Sequence, residues 1–300
     1  MPALNTNPPW LKKRLVTGPQ SVKTGEILSS LGLNTVCETS ACPNLNECFS
    51  NTHVTFLILG RSCTRSCRFC SVEKGLPQAL DESEPYRIRD AASRLNLDHV
   101  VITSVTRDDL DDGGAGQFVK VIDAVRELRA TITIEVLVPD FQGNMDSVDK
   151  VLSASADIFS HNVETIRSLY PSLRQTADYG RSLDILRKAK STSKNQITKS
   201  GIMVGLGENE KEVLEAITDV SKAGCDILTI GQYLRPGEAN LPVRRYVLPE
   251  EFERYRKFAI DLGFKYAASG PFVRSSYRAR DAYNAIMRGS DDRSETAAYS

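Results

Sequence analysis

A chain of 300 residues that is 41 % hydrophobic and 25 % charged is long enough to bury one large core, and its 38 basic and 38 acidic residues cancel. That balance leaves no net positive field to gather nucleic acid and no acidic excess of the kind that keeps chains unfolded. The apolar runs are far shorter than the roughly 20 residues of a membrane-spanning helix, and the N-terminus lacks an apolar signal core, so a soluble, cytoplasmic protein is expected, with neither a nucleic acid nor a membrane as partner.

In chain order, residues 1–52 hold Pro8, Pro9, Pro19 and Pro43, a basic cluster from Lys12 to Arg14 and no sustained hydrophobic period, which reads as an irregular N-terminal extension. From about residue 53 short β-branched runs alternate with amphipathic stretches: "VTFLIL" (54–59), "HVVITSV" (99–105), "ITIEVLV" (132–138), "DIFSHNV" (157–163), "SGIMVGL" (200–206) and "DILTIGQYL" (226–234). Between and after them, 117–129, 179–190, 210–224 and 250–263 carry apolar residues at helical spacing, with Gly224 and Gly263 as stop signals. Six such alternations imply an α/β fold in which helices cover a parallel sheet, either a partial barrel or a doubly wound sheet. Loops after the strands' C-terminal ends build the active site in both. The polar tail after Arg288 reads as disordered.

Six of the seven cysteines crowd between positions 37 and 70. In a chain read as cytoplasmic this favours metal ligation over disulfides; Cys225 stands apart and reads as a small buried hydrophobe. "CTRSCRFC" places Cys63, Cys67 and Cys70 at C-x3-C-x2-C spacing on the loop after the first strand. A structural zinc site would need a fourth protein ligand from elsewhere. A four-iron cluster held by three cysteines keeps one iron open, and an open iron can bind a substrate. "CETSACPNLNEC" places Cys37, Cys42 and Cys48 at C-x4-C-x5-C spacing, which alone fits a second cluster, a small zinc site or buried thiols.

The first triad, with Phe69 before its last cysteine, resembles the signature of the radical S-adenosylmethionine enzymes. The two triads together, with "TSVTRDDLDDGGAGQF", "HNVETIRSLYP", "TKSGIMVGLGE", "LTIGQYLRP" and "ASGPFVRSSY", resemble the lipoyl synthase family over nearly the whole chain. The resemblance implies a partial (β/α)6 TIM-like barrel over 53–263, an extension (1–52) carrying an auxiliary cluster, and a C-terminal segment (264–300) that closes the active-site face.

It also implies a chemistry. The open iron at Cys63, Cys67 and Cys70 would chelate S-adenosylmethionine, whose reductive cleavage gives a 5′-deoxyadenosyl radical. Two sulfur atoms would enter at C6 and C8 of an octanoyl group on a lysine of a lipoyl carrier domain, one S-adenosylmethionine being spent per sulfur. These carbons are unactivated, so no side-chain base can deprotonate them and the cofactor must carry the chemistry; His161 is accordingly read as structural. The resemblance assigns two 4Fe-4S clusters, with Cys37, Cys42, Cys48 and Ser276 of the "RSSY" box holding the auxiliary one that donates sulfur. From the residues alone Ser275 and Ser276 are equally loop polar groups or a helix N-cap. Expected contacts of S-adenosylmethionine are Phe69, Thr103, Ser104, Asp108, Glu135, Asn162 and Arg174. Gly113 and Gly114 read as a further contact or as a plain turn, and Glu135 equally as a solvated strand-end charge. Expected partners are octanoylated carrier domains of 2-oxoacid dehydrogenase or glycine cleavage systems and a ferredoxin or flavodoxin-type electron donor. Arg244, Arg245, Arg274, Arg278 and Arg280 are candidates to meet an acidic carrier, with solvated charge as the alternative. Departures from the family pattern are Asn46, Phe49, Arg167 and Asn240. The rival readings are another sulfur-inserting radical enzyme and a non-catalytic zinc or iron–sulfur protein.

Overall fold

The computed structural model describes residues 8–13 and 18–288. Arg14 of the basic cluster and the tail beyond Arg288 lie outside the described residues. Seven parallel strands form one sheet in simple sequential order: β1 (Thr55–Ile58), β2 (His99–Ser104), β3 (Thr133–Leu137), β4 (Ile158–Ser160), β5 (Ile197–Val204), β6 (Ile227–Gln232) and β7 (Tyr266–Gly270). β1 pairs only with β2, and β7 only with β6, so the barrel is partial and open between its first and last strands. The strands read as continuous apolar runs because both faces are covered: all four residues of β1 and all six of β6 are buried.

Helices follow the strands in turn. In the extension α1 (Pro19–Ser30), α2 (Val36–Thr39) and α3 (Leu45–Ser50) precede the barrel; α4 (Glu84–Arg94), α5 (Ala115–Arg126), α6 (Met145–Ser153), α7 (Tyr170–Leu173), α8 (Tyr179–Thr192), α9 (Glu210–Lys222) and α10 (Pro249–Asp261) form the outer layer; α11 (Ala279–Met287) follows β7. α9 starts with a reciprocal capping box between Asn209 and Glu212 and is followed by Gly224 at φ +83°, as its stop signal predicts.

Three differences from the sequence reading have physical causes. The extension is helical: α1 packs through Ser21, Thr24 and Leu28, a face at helical spacing that is mostly polar and so gives little hydrophobic period. Thr24 Oγ1 donates to Phe49 O at 2.9 Å, tying α1 to α3, and Leu57 N donates to Asn34 O at 2.9 Å, covering the open edge of β1. The sheet has a seventh strand inside the expected C-terminal segment, because "YAASG" is built from small residues rather than β-branched ones. The segment after it divides. Residues 271–278 face the site, whereas α11 seals the other end, packing Ala282, Tyr283 and Ile286 on Ile158, Ile197 and Ile227, the first residues of β4, β5 and β6.

Candidate functional site

The loop after β1 turns sharply at Leu59 (φ +71°) and Gly60 (φ +96°), then Ser62–Cys63 pairs with Glu73–Lys74, so the segment bearing the first triad closes on itself. Cys63 Sγ accepts from Arg65 N and Thr106 N at 3.4 Å each. Arg68 N donates to Leu173 O at 3.0 Å, and Asn240 Nδ2 donates to Cys70 O at 2.9 Å, so the loop is gripped from α7 and from the segment after β6. Asn240, a departure from the family pattern, is thus a clamp on the triad. Beneath the loop the buried Arg65 guanidinium meets Asp108 at 2.7 Å and Asp140 at 2.6 Å. Burial alone would raise the Asp140 carboxyl, but the hydrogen bond and charge of Arg65 prevail and hold it at about 2.

The second triad sits on the short helices of the extension. Cys37 lies in α2, whose N-cap Thr35 accepts from Glu38 N at 3.2 Å; Cys42 follows α2 and Cys48 lies in α3. The "RSSY" segment is stitched across to them. Asn44 Nδ2 donates to Phe272 O at 2.7 Å, Tyr277 OH to Glu47 Oε1 at 2.6 Å, and Lys13 Nζ pairs with Glu47 at 2.6 Å. Ser275 Oγ donates to Asn162 Oδ1 at 3.0 Å, whereas Ser276 makes no side-chain hydrogen bond among the described residues. The second serine is therefore the uncommitted one. All seven cysteines are free thiols. Burial pushes Cys37 up to about 11, and burial with the charges of Cys37 and Cys42 pushes Cys48 up to about 12; Cys70 is pushed up to about 11, by burial first. Thiols so shifted are protonated near neutrality and give up protons when a metal takes them.

Both groups meet at one cavity of ≈ 480 Å³, whose wall includes Cys70 and Phe69 from the first loop and Cys37, Cys42, Cys48, Ser275 and Ser276 from the second. Among the described residues no three His, Cys, Asp or Glu side chains are drawn together tightly enough for a single metal ion; the thiols border a space instead. Soft thiolates with one hydroxyl, bordering a cavity rather than a point, fit iron–sulfur clusters.

Of the contacts expected for S-adenosylmethionine, Phe69, Thr103, Ser104 and Asn162 line this cavity. Ser104 Oγ is buried without a partner, a hydroxyl left for a ligand. Asp108 and Glu135 are corrected. Asp108 is committed to Arg65, and Glu135 is fully buried against Lys199 Nζ at 2.8 Å, below the cavity wall. Arg174 is also set back from the wall, its Nη1 on Tyr170 OH at 2.9 Å and its buried Nε without a partner; its charge acts on Cys67. Gly113 and Gly114 are a turn: both have positive φ, and a Cβ on Gly114 would lie 2.3 Å from Leu59 Cδ1. The sequence reading missed Glu164. It stands at the top of β4 with φ +69°, accepts from Asn162 Nδ2 at 3.1 Å and lines the cavity. A non-glycine residue held in that conformation is a mark of a functional wall. The only available signal was the carboxylate two positions after Asn162 in "HNVET". His161 is buried with Nδ1 on Val138 O at 2.9 Å, the structural role expected of it.

The model of the radical SAM superfamily matches residues 57–220. Over 282 residues the chain is 51 % identical to lipoyl synthase of Caldanaerobacter subterraneus subsp. tengcongensis, covering 94 % of this chain and 98 % of that one. The chain belongs to the lipoyl synthase family. Lipoyl synthase of Rubrobacter xylanophilus is 50 % identical, with 94 % of this chain and 88 % of that one covered. Among solved structures, methylornithine synthase overlays with a TM-score of 0.52 at 14 % identity, covering 89 % of this chain and 92 % of that one. SuiB of Streptococcus suis, bound to its precursor peptide SuiA, overlays at 0.56 with 12 % identity, covering 95 % and 60 %. At that identity they speak for the fold alone, a radical SAM partial barrel. As a lipoyl synthase the chain is a sulfurtransferase that works through S-adenosylmethionine and iron–sulfur chemistry. Among the described residues no helix is long and apolar enough to cross a membrane.

Proposed function

We propose that this chain inserts sulfur at C6 and C8 of an octanoyl-lysine on a lipoyl carrier domain, and that it does so with two four-iron clusters of separate duty. The observation that carries the reading is one cavity whose wall takes in the second triad, Cys37, Cys42 and Cys48, together with Cys70 of the first triad's loop. Cys63, Cys67 and Cys70 would hold the first cluster, and Cys37, Cys42, Cys48 and Ser276 would hold the second. When bound, the first supplies a 5′-deoxyadenosyl radical from S-adenosylmethionine, two per lipoyl group, and the second supplies the sulfur.

The chain's own residues do the positioning. Phe69, Thr103, Ser104, Asn162 and Glu164 offer the cofactor one aromatic face and a set of hydrogen-bonding groups on the strand tops. Leu57, Val101 and Met203, with Val36 and Val273, give the alkyl chain an apolar lining. Asn162 links the two halves, since its amide holds Glu164 on one side and Ser275 on the other. No acid or base is needed at C6 or C8; the two histidines of the wall, His53 and His99, stand just before β1 and at the first residue of β2. The acyl carriers belong to 2-oxoacid dehydrogenase or glycine cleavage systems, electrons come from a ferredoxin or flavodoxin-type donor, and no nucleic acid takes part. Of the arginines weighed for docking, Arg245 pairs with Glu251 at 2.6 Å, Arg280 with Asp98 at 3.0 Å and Arg278 with Glu47 at 3.9 Å, and Arg274 lines the cavity.

The test supplies octanoyl-lysine peptide, S-adenosylmethionine and a strong reductant to anaerobically reconstituted protein. A dithiolane by mass spectrometry and about eight irons per chain, as two four-iron clusters require, are expected. Deoxyadenosine without sulfur insertion would refute the lipoyl assignment, and colourless zinc protein would refute the radical one.

A further inference from the structure

The segment that delivers Ser276 also carries a cation that the ion-pair network leaves out. Arg274 lines the cavity, and its Nη1 donates to Val273 O at 2.7 Å and Pro271 O at 3.5 Å, carbonyls of its own turn. Among the described residues no carboxylate pairs with it. Three other deeply set cations have carboxylate partners, Arg65 with Asp108 and Asp140, Arg107 with Asp109 and Lys199 with Glu135, whereas Arg174, like Arg274, has none and rests on Tyr170 OH instead. Arg274 stands two residues before Ser276 and lines the same cavity as Cys42 of the second triad. Its position is also prepared by the sheet. A Cβ on Gly231 of β6 would fall 2.1 Å from Val273 O and 3.3 Å from Arg274 Nη1, so the strand forgoes a side chain to let this turn press against it.

An enclosed guanidinium without an anion is costly to keep, so the anion has to come from what the cavity holds. We propose that Arg274 is the counter-charge of the anionic centre formed at Cys37, Cys42, Cys48 and Ser276, and that it raises the reduction potential of that centre. The inference rests on the reading that the second triad holds an iron–sulfur cluster. Three thiolates and an alkoxide would bring more negative charge than a four-iron core cancels, and a fixed cation in the same cavity wall would favour the more reduced, more negative state. Arg274 is thus a positioning residue, acting through the electrostatics of the centre. The guanidinium is held by its own turn's carbonyls, which keeps the charge in place without neutralising it.

The test uses the full-length chain with Cys63, Cys67 and Cys70 replaced by Ala, so that only the second centre is loaded, with Arg274→Gln and Arg274→Lys added separately. Iron content and a midpoint potential from a redox titration followed by electron paramagnetic resonance are read for each. Expected are a more negative midpoint in Arg274→Gln and a return most of the way to the parent value in Arg274→Lys. Loss of iron in Arg274→Gln with normal loading of Arg274→Lys is the same charge effect carried further and supports the proposal. An unchanged potential in Arg274→Gln, or equal loss of iron from both variants, overturns it and leaves the two-cluster reading standing. A parent that takes up no iron overturns that reading and the inference together.

Discussion

The second triad and Cys70 of the first line one cavity, but the two triads are held by opposite means. The first rides on a loop that leaves β1, closes on itself and is braced from below by Arg65 between Asp108 and Asp140; every part of it belongs to the barrel. The second rides on α2 and α3, outside the barrel, and the fourth donor proposed for it, Ser276, lies on a turn more than 200 residues further along that is brought in by the Asn44, Glu47, Lys13 and Tyr277 contacts. A ligand set complete but for one open position needs a rigid frame, since the open position has to face its substrate. A ligand set closed by a distant hydroxyl needs two chain segments to stay together, and a hard oxygen among soft sulfurs is the weakest member of such a set. The cluster proposed to be consumed is therefore the one with the more easily opened holder.

The largest effect that separates the two is expected at the brace. Replacing Arg65 by Met leaves the buried Asp140 with Arg181, at 3.1 Å, as its remaining ion-pair partner, and should cost about 3–5 kcal/mol in a denaturation series. Iron should be lost first from the barrel site, so a variant that loses both centres equally would break the distinction.

Acid should act next. Burial lowers His99 to about 3 and His161 to about 4 from 6.5, with neighbouring cations (Lys199 for His99, Arg174 for His161) adding to the effect. Both are neutral in the folded chain. The unfolded chain takes up their protons below pH 6.5, so their stabilising contribution is full above that pH and falls as pH drops toward the folded values. The loss is about 2 kcal/mol for each histidine by pH 5, checked by denaturant midpoints at pH 7 and 5 and by replacing His161 with Gln. A pH-independent midpoint would contradict the buried, neutral assignment.

The smallest effect is on the stitch. Tyr277→Phe removes one hydrogen bond to the Glu47 carboxylate, a loss of about 1.5–3 kcal/mol, and should lower iron occupancy of the second centre with the first unchanged. Equal occupancy of both would mean that the "RSSY" turn does not depend on α3.

What could be read in the sequence follows from what each residue needs. β-branched strands announced themselves, and a triad with fixed spacing on one loop did so as well, because both are local. β7 was missed since "YAASG" is buried by being small, and α1 since its buried face is Ser21 and Thr24 as well as Leu28. Asp108 and Glu135 were read as ligand contacts; their partners, Arg65 and Lys199, lie 43 and 64 residues away, a pairing that spacing does not reveal. Ser276 was chosen over Ser275 by the resemblance, not by its neighbours in sequence; the bond that engages Ser275 runs to Asn162, 113 residues upstream. The frame was legible and the stitches were not.

The central claim is that the two triads have separate duties. It is tested most directly by assaying Cys42→Ala and Cys67→Ala side by side for deoxyadenosine and for dithiolane on an octanoyl-lysine peptide. The account predicts that Cys67→Ala makes neither product, while Cys42→Ala still makes deoxyadenosine and inserts no sulfur. Loss of both products in both variants, or sulfur insertion by Cys42→Ala, would contradict it.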